Sequence, residues 1–256
     1  MRHGAFVLLA FGMVLAATIT VRGGDSTAAR ALVEKAIEAQ GGEAKLSKFA
    51  AVTASFKGTF HGLGEAAPLT GELASQGADR QKTVMEMEAG GEKLRIVHVL
   101  NRDKGWTKIN DDLEELDADD LAEAKEEAHV EWVATLVPLK DRTFQLATVS
   151  EVRIDKRPAL GVRVSSKGRR DVTLYFDKES GLLVRMQRYF SSPVGRVPIQ
   201  LDYDNYRAVA GVMMPFKYSY AWLSGRDEFT ITDVQPNVTI DPAKFGKPTP
   251  VSRKIR

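Results

Sequence analysis

The chain has 256 residues, of which 43% are hydrophobic and 27% are charged, an ordinary composition for a globular protein. It contains no cysteine, which excludes disulfides, thiol chemistry and cysteine-based zinc sites. The formal net charge is +2, and without Arg2 and Arg22 the numbers of basic and acidic residues are equal. This balance argues against nucleic-acid binding through bulk charge.

Residues 1–24 have the pattern of a secretory signal peptide. A basic start at Arg2 precedes an apolar run from Ala5 to Ala17 that is too short to favour a membrane-spanning helix. Cleavage at the end of this run, or as late as Gly24, fits the pattern, and an uncleaved membrane anchor is the alternative. We expect an exported protein, periplasmic where the cell has a periplasm, that is soluble after cleavage.

The next part of the chain predicts one helix followed by strands. Apolar residues at helical spacing, a cap at Asp25 or Ser26, and the pair Gly41-Gly42 indicate a helix over Thr27–Gln40. After a short helical turn, period-two alternation predicts strands at 52–61, 69–75, 81–87, 94–100 and 103–109. The strand at 94–100 is apolar on both faces, which predicts a central place in a sheet.

The hydrophobic period changes between Asp111 and Leu136. Asp117 or Asp119 can cap a helix that runs to Leu136 before Pro138. Its first half is acidic, which suits the positive end of the helix dipole, and its second half is apolar. We expect this segment to form a lid with weak contacts over the sheet.

Strands resume after Pro138, and a hairpin is their clearest signal. Val172, Leu174 and Phe176 alternate with Thr173 and Tyr175 before the turn at 177–181, and a second alternating run groups Leu182 with Val184 and Met186. Gly181 can take the positive φ that such a turn needs. The other expected strands are 144–149, 152–154, 160–165, 199–203, 212–214, 216–222 and 229–234, with a final helical turn at 240–245.

These patterns predict an α+β fold. A large curved antiparallel sheet of about ten or eleven strands forms an incomplete β-barrel, because long antiparallel sheets twist and tend to curl. An N-terminal helix and a mid-chain helix cover its concave face. We assign residues 25–246 to this single domain and residues 247–256 to a basic, flexible tail.

The C-terminal half resembles a known family in three segments: LYFDKESGLLVRMQRY at 174–189, YDNYRAVAGVMMPFKYSY at 203–220 and FTITDVQPNVTIDPAKFGKP at 229–248. They are similar to the LolA/LolB-like superfamily of periplasmic lipoprotein carriers, and more so to its relatives called outer-membrane lipoprotein-sorting proteins. The helix before Gly41 and the strand with Phe56 and Phe60 fit the start of that fold. The resemblance covers about residues 26–246. It implies an unclosed β-barrel that holds acyl chains in an apolar cavity covered by helices.

The sequence contains no catalytic, phosphate-binding or dinucleotide-binding motif. His61, His98 and His129 are far apart in the chain, and His98 fits a hydrogen-bonded residue of the core or cavity better than a metal ligand. The acidic run at 111–127 lacks the glycine and spacing of a calcium loop and is expected to be a solvated helix face. We therefore predict no cofactor, no metal and no enzymatic activity.

Large apolar side chains carry the functional prediction. A half-barrel of about eleven strands is too wide for its own side chains to fill, and methionine suits an adaptable apolar wall. The predicted lining of a ligand cavity consists of Phe56, Phe60, Met85, Met87, Trp106, Trp132, Met186, Tyr218, Tyr220 and Trp222.

The sequence thus predicts an exported carrier or binder of lipid, of lipoprotein acyl chains or of another apolar ligand, with lipid or acylated protein as its cargo. The alternative is an envelope interaction module that docks a partner protein on its concave face. In either case we expect a monomer that contacts a membrane surface at most transiently and does not bind nucleic acid.

Overall fold

The computed structural model describes residues 25–61, 66–89, 91–192, 195–222 and 225–249. The predicted signal peptide and most of the predicted tail lie outside these ranges. No helix among the described residues combines the length and the apolar character needed to cross a bilayer.

Three helices and fifteen strands are formed by the described residues. The helices are α1 (Ser26–Ala39), α2 (Glu43–Leu46) and α3 (Ala118–Val133), and two short 3₁₀ helices span Val137–Lys140 and Pro242–Phe245. The strands are β1 (Ala51–His61), β2 (Ala67–Gln76), β3 (Arg80–Ala89), β4 (Glu92–Asn101), β5 (Lys104–Ile109), β6 (Asp112–Glu115), β7 (Gln145–Ile154), β8 (Arg157–Ser165), β9 (Val172–Asp177), β10 (Leu183–Ser192), β11 (Gly195–Asp204), β12 (Arg207–Val209), β13 (Val212–Met214), β14 (Lys217–Trp222) and β15 (Gly225–Pro236).

The strands confirm the predicted fold class. In the part of the chain that is described, thirteen strands form one antiparallel sheet in the order β6-β5-β4-β3-β2-β1-β15-β14-β11-β10-β9-β8-β7, and β12 and β13 form a separate ribbon. The sheet is therefore larger than the ten or eleven strands expected. The strands that come first and last in the sequence, β1 and β15, pair at the middle of the sheet. The sheet therefore consists of two halves, one on each side of this pair.

Helix α1 forms where the sequence predicts it. Asp25 caps it, because the Asp25 Oδ1 accepts hydrogen bonds from the backbone N–H groups of Thr27 at 2.8 Å and Ala28 at 3.2 Å. The helix ends before Gly41, which has a φ of +122° and lies so close to the β12–β13 ribbon that a Cβ atom there would be 2.5 Å from the Gly211 carbonyl oxygen. Only glycine fits this conformation and this approach.

Register shifts change two of the predicted strands. The segments expected at 144–149 and 152–154 form one strand, β7, with an irregularity between Val149 and Val152. A second irregularity lies between Leu183 and Arg185 in β10. The predicted alternation that groups Val184 with Met186 is therefore wrong, because Val184 packs in a different cluster from Leu183 and Met186.

The two faces of the sheet are covered by different parts of the chain. On the concave face, α1 and α3 bury their apolar residues against β7–β10 in the largest core cluster. On the convex face, Ile240 and Phe245 of the C-terminal segment pack against Val97 and Val99 of β4 and Trp106 of β5. Strand β4 is the third strand from one edge rather than central, and this C-terminal cover accounts for its second apolar face.

Helix α3 crosses the open side of the incomplete barrel. The chain leaves the sheet at one edge strand, β6, and re-enters it at the other edge strand, β7, with α3 between them. With 16 residues, α3 is about 24 Å long. Of the two predicted caps, Asp117 is the one used, and its Oδ1 accepts from the N–H groups of Asp119 and Asp120. Residues 112–115, expected in the same covering segment, instead pair with β5 as β6.

Candidate ligand-binding site

Side chains on the concave face of the central strands form an apolar surface that is only half covered, which we call the apolar wall. Ala54, Phe56, Leu69 and Ile231 are buried at its base. Around them lie the half-buried side chains of Phe60, Leu73, Met85, Met87, Phe216, Tyr218, Phe229 and Val234. All of these residues belong to the sheet or directly precede β14, so the cluster contains no helix residue.

The other half of the concave face is packed more completely, since the described residues of its cluster include eighteen buried ones and seven half-buried hydrophobic ones around them. There α1 contributes Val33 and Ile37, each 2% exposed, and the sheet contributes Val162 and Leu174, both 0% exposed. Tyr218 contacts both this core and the apolar wall. The contrast means that the helices cover one half of the curved sheet and leave the apolar side chains of the other half accessible.

Aromatic rings give the apolar wall a defined surface. The rings of Phe56 and Phe229 have centroids 5.4 Å apart, and Phe229 stacks on Tyr218 at 5.0 Å with an interplanar angle of 6°. Tyr218 in turn meets Tyr203 edge-on at 5.6 Å. Contacts between rings at these distances stabilise one arrangement of the side chains, so the wall is preformed.

Helix α3 is held at the β10 side by ion pairs. The Arg188 guanidinium, 5% exposed, lies 3.0 Å from a Glu123 carboxylate oxygen and 3.4 Å from a Glu127 carboxylate oxygen. Glu126, also buried, accepts a hydrogen bond from the backbone N–H of Arg170 at 2.9 Å. Most residues of the acidic run are exposed, as the sequence predicts, whereas Glu123, Glu126 and Glu127 face the sheet. A carboxylate that leaves water needs a positive partner or hydrogen-bond donors, and these three have them.

The β3 side of α3 is held more weakly. Lys125 pairs with Asp103 at 2.7 Å, and the Asp103 side chain is 92% exposed. The Gln81 side-chain amide donates to a Glu131 carboxylate oxygen at 2.8 Å. Exposed pairs of this kind contribute about 1 kcal/mol or less each, so α3 is anchored firmly at one side and loosely at the other.

Glu131 lies on α3 and accepts a hydrogen bond from Gln81 of β3 on the concave side of the sheet, and we call the space on this side of the wall the hollow. The Glu131 side chain reaches water, yet burial, with the neighbouring Glu127 charge adding to it, raises its pKa to about 7. The Glu131 carboxylate is therefore in contact with water on one side and surrounded by protein on the others. Burial, with a smaller contribution from Glu127, also raises the pKa of Tyr220 to about 12.

The variant Glu131→Gln should become more stable than the native protein as the pH rises. The raised pKa means that the folded state holds the Glu131 proton more tightly than the unfolded state, so ionisation destabilises the fold between about pH 4.5 and pH 7. Because the side chain reaches water, the gain should be only about 1 kcal/mol. Urea unfolding near pH 5 and pH 8 measures it. Glu92→Gln, at an exposed position of β4, is the control, and an equal gain there would contradict the assignment.

The structure brings together most of the ten predicted lining residues. Phe56, Phe60, Met85, Met87 and Tyr218 lie in the apolar wall. Tyr220 and Trp222 continue it along β14, with the ring of Trp222 6.1 Å from that of Phe60.

The remaining three predicted residues lie elsewhere. Met186 is 3% exposed in the packed core, where the Tyr203 hydroxyl approaches its sulfur at 3.9 Å. Trp132 lies on α3 beside His129 and Phe144. Trp106 is on the convex face, because it pairs with Val99, whose side chain points away from the hollow. The wall therefore draws on neither Trp106 nor Trp132.

A separate pocket of about 670 Å³ lies beside α1, away from the apolar wall. It is lined by Ser26, Thr27, Arg30, Ala31, Val33, Glu34, Leu139, Lys140, Arg142 and Leu146. None of the ten predicted residues belongs to it. The described residues contain no cluster of three or more His, Asp or Glu side chains suited to a metal ion.

Solved structures of other proteins share this arrangement of sheet and helices. One is an outer membrane lipoprotein-sorting protein domain from Vibrio parahaemolyticus, with a TM-score of 0.56 and 9% identity over 87% of this chain and 98% of that one. Another is a LolA superfamily protein from Nitrosomonas europaea, with a TM-score of 0.54 and 13% identity over 86% and 97%. This chain has the LolA-like fold. A DUF1329 family protein from Desulfovibrio piger is similar to the same degree, with a TM-score of 0.56, 9% identity and coverage of 85% and 97%.

No family model matches the sequence, and no curated protein matches it. At 9–13% identity the likeness establishes the fold alone. It confirms the fold that the resemblance of the C-terminal half implies. What this chain binds therefore depends on its own side chains.

Sequence reasoning missed three polar residues of the hollow. Arg188, Glu131 and Asp227 all face the concave side. Asp227 and Arg188 each had a usable signal, since Asp227 alternates with Phe229 and Ile231, and Arg188 follows Met186 at the same spacing. A charged residue at an apolar position of a strand indicates a special environment. Glu131 had no such signal, because acidic residues are common along this helix.

Proposed function

We propose that this protein is an exported, non-enzymatic carrier or binder of an apolar or amphiphilic group, which lies against the apolar wall beneath α3. The observation that carries the proposal is the half-covered state of the wall, where eight of the described hydrophobic residues are half-buried and four are buried, whereas the core beneath α1 has eighteen buried and seven half-buried. An apolar surface of this kind is stabilised when a ligand removes it from water. The LolA-like fold supports the proposal, since structures of this fold include a lipoprotein-sorting domain.

The energetics favour a ligand that is held and then released. Each buried CH₂ contributes about 0.8 kcal/mol, so an acyl chain of ~16 carbons gains roughly 10 kcal/mol before ordering costs. A cavity that sealed such a ligand completely would release it slowly. The weak attachment of α3 at Asp103 and Gln81 offers a route, because that side of the helix can move while the Arg188 side stays anchored.

A pair of substitutions on one strand tests the proposal. Phe229 faces the wall, whereas Thr230 is its neighbour on the opposite face, in register with Lys57 and Lys217. Phe229→Glu should weaken the binding of a fluorescent fatty-acid probe by more than about tenfold, because the new carboxylate would be buried among apolar groups. Thr230→Glu should leave binding unchanged. Met85→Gln provides a milder change of the wall if Phe229→Glu folds poorly.

Mass spectrometry of the purified protein gives an independent result. Co-purified lipid in the native protein, reduced in Phe229→Glu, is the expected outcome. Absence of lipid together with failure to bind the probe would overturn the proposal. If instead one protein co-purifies and is lost in Phe229→Glu, the wall is a docking surface for that partner and the carrier proposal is wrong.

A further inference from the structure

The rim of the apolar wall combines three aromatic rings with one carboxylate. Asp227 of β15 is directly in register with Phe60 of β1 on one side and with Tyr220 of β14 on the other. Facing side chains on neighbouring antiparallel strands have Cβ atoms about 5 Å apart, so both rings flank the Asp227 side chain. We call Phe60, Tyr220, Trp222 and Asp227 the rim cluster.

Trp222 completes the rim cluster by leaning across Gly225. A Cβ atom at Gly225 would lie 2.5 Å from Cζ2 of Trp222, so the indole occupies the space above this glycine, two residues from Asp227. Its ring stacks on Phe60 with a centroid distance of 6.1 Å and lies 5.6 Å from Tyr220. Three rings therefore stand around the carboxylate, and all of them are half-buried.

One oxygen of the Asp227 carboxylate lacks a hydrogen-bond donor. Among the described residues, none donates to its buried Oδ1 and none forms an ion pair with Asp227. Burial raises its pKa, and the nearby His61 opposes this shift. A buried acceptor without a donor costs free energy, and a ligand that donates a hydrogen bond to it recovers this free energy on binding.

We propose that the rim cluster binds an alkylammonium group, the protonated amine of a ligand whose apolar part lies on the wall; this rests on the proposed function. Aromatic faces attract cations, and a carboxylate beside them supplies a counter-charge and accepts from an N–H group. The same chemistry fits the headgroup of a lipid or a free amine. An anionic headgroup is disfavoured, since Asp227 would repel it.

Calorimetric titration of the purified protein with ligands of one chain length tests the proposal. Dodecylammonium, below its micelle concentration and near neutral pH, should bind more tightly than dodecyl maltoside or dodecyl sulfate. Asp227→Asn should weaken dodecylammonium binding about tenfold and Trp222→Leu about fivefold. Asp227→Asn should change the affinity for dodecyl maltoside by no more than about twofold, and Trp222→Leu, which also alters the wall, should weaken dodecylammonium more than dodecyl maltoside.

The matched control is Asp233→Asn, which removes the same charge from an exposed position of β15. It should leave every affinity unchanged, and equal weakening in this variant would show surface attraction and overturn the proposal. Asp227→Asn is expected to fold, since it replaces a half-buried carboxylate whose Oδ1 has no donor among the described residues, and thermal unfolding verifies this.

The outcomes separate the ammonium site from the carrier function. If all three amphiphiles bind and Asp227→Asn affects none of them differently, the ammonium site is refuted while the apolar wall stands. If none binds, the carrier proposal fails. Butylammonium, a short amine, tests for a site that takes free amines. If its binding depends on Asp227 while dodecyl maltoside does not bind at all, the rim cluster is a site for free amines and the carrier proposal is overturned.

Discussion

Arg188→Ala is expected to lower the free energy of unfolding by about 3 kcal/mol, because it leaves Glu127 without its cation and Glu123 with Arg170 as its remaining partner. The guanidinium is 5% exposed, so water cannot replace it without rearrangement of α3. Chemical denaturation measures the loss. Hydrogen exchange should show faster opening of residues 118–133 than of the sheet.

Arg185→Ala is the matched control for this prediction. Arg185 lies on the same strand and pairs with Asp202 at 2.6 Å, but its side chain is 22% exposed. Its removal should cost about 1 kcal/mol and leave exchange of α3 unchanged. Adding Glu123→Gln and Glu127→Gln to Arg188→Ala should recover part of the stability, because the charges that Arg188 balanced are then gone. Equal losses at Arg185 and Arg188 would contradict the role assigned to Arg188.

Phe245→Ala should destabilise the protein by about 4 kcal/mol, the range expected for a large cavity in a packed core. Phe245 is 0% exposed and fixes the C-terminal 3₁₀ helix to the convex face, in the same cluster as Trp106. Thermal unfolding gives the loss, and the fluorescence of Trp106 reports on the local packing.

Phe60→Ala, by comparison, should cost only about 1 kcal/mol, because the ring is half-exposed and its removal opens space next to an existing hollow. The same variant should weaken ligand binding, which Phe245→Ala would leave intact at temperatures where it is folded. Similar stability losses in the two variants would mean that the concave face is as tightly packed as the convex face, and the hollow would then be absent.

The elements that depend on local signals were predictable. The cap at Asp25 and the stop at Gly41 act within a few residues, so the bounds of α1 follow from neighbouring side chains. The turn at 177–181 forms as expected, with Gly181 at a φ of +75°. It is also held by the Asp177 Oδ1, which accepts from the N–H of Ser180 at 2.7 Å.

Which of the predicted residues share a face of the sheet was predicted in part. Alternation in β1, β3 and β14 correctly grouped Phe56 with Phe60, Met85 with Met87, and Tyr218 with Tyr220 and Trp222, because each pair or triplet shares one face of a strand. It could not decide which face of β5 would be concave. Trp106 therefore entered the predicted lining although the C-terminal segment, more than a hundred residues later, buries it on the other side.

By itself the sequence determined where most of the strands and the two long helices lie, and that the sheet is antiparallel. These properties follow from the side-chain period and from turn residues, which act over a few positions. Only the tertiary structure decided that β1 pairs with β15, that Arg188 meets α3, and that Asp227 stands among three rings. The reason is that these contacts join distant parts of the chain, and their geometry depends on how the whole sheet curves.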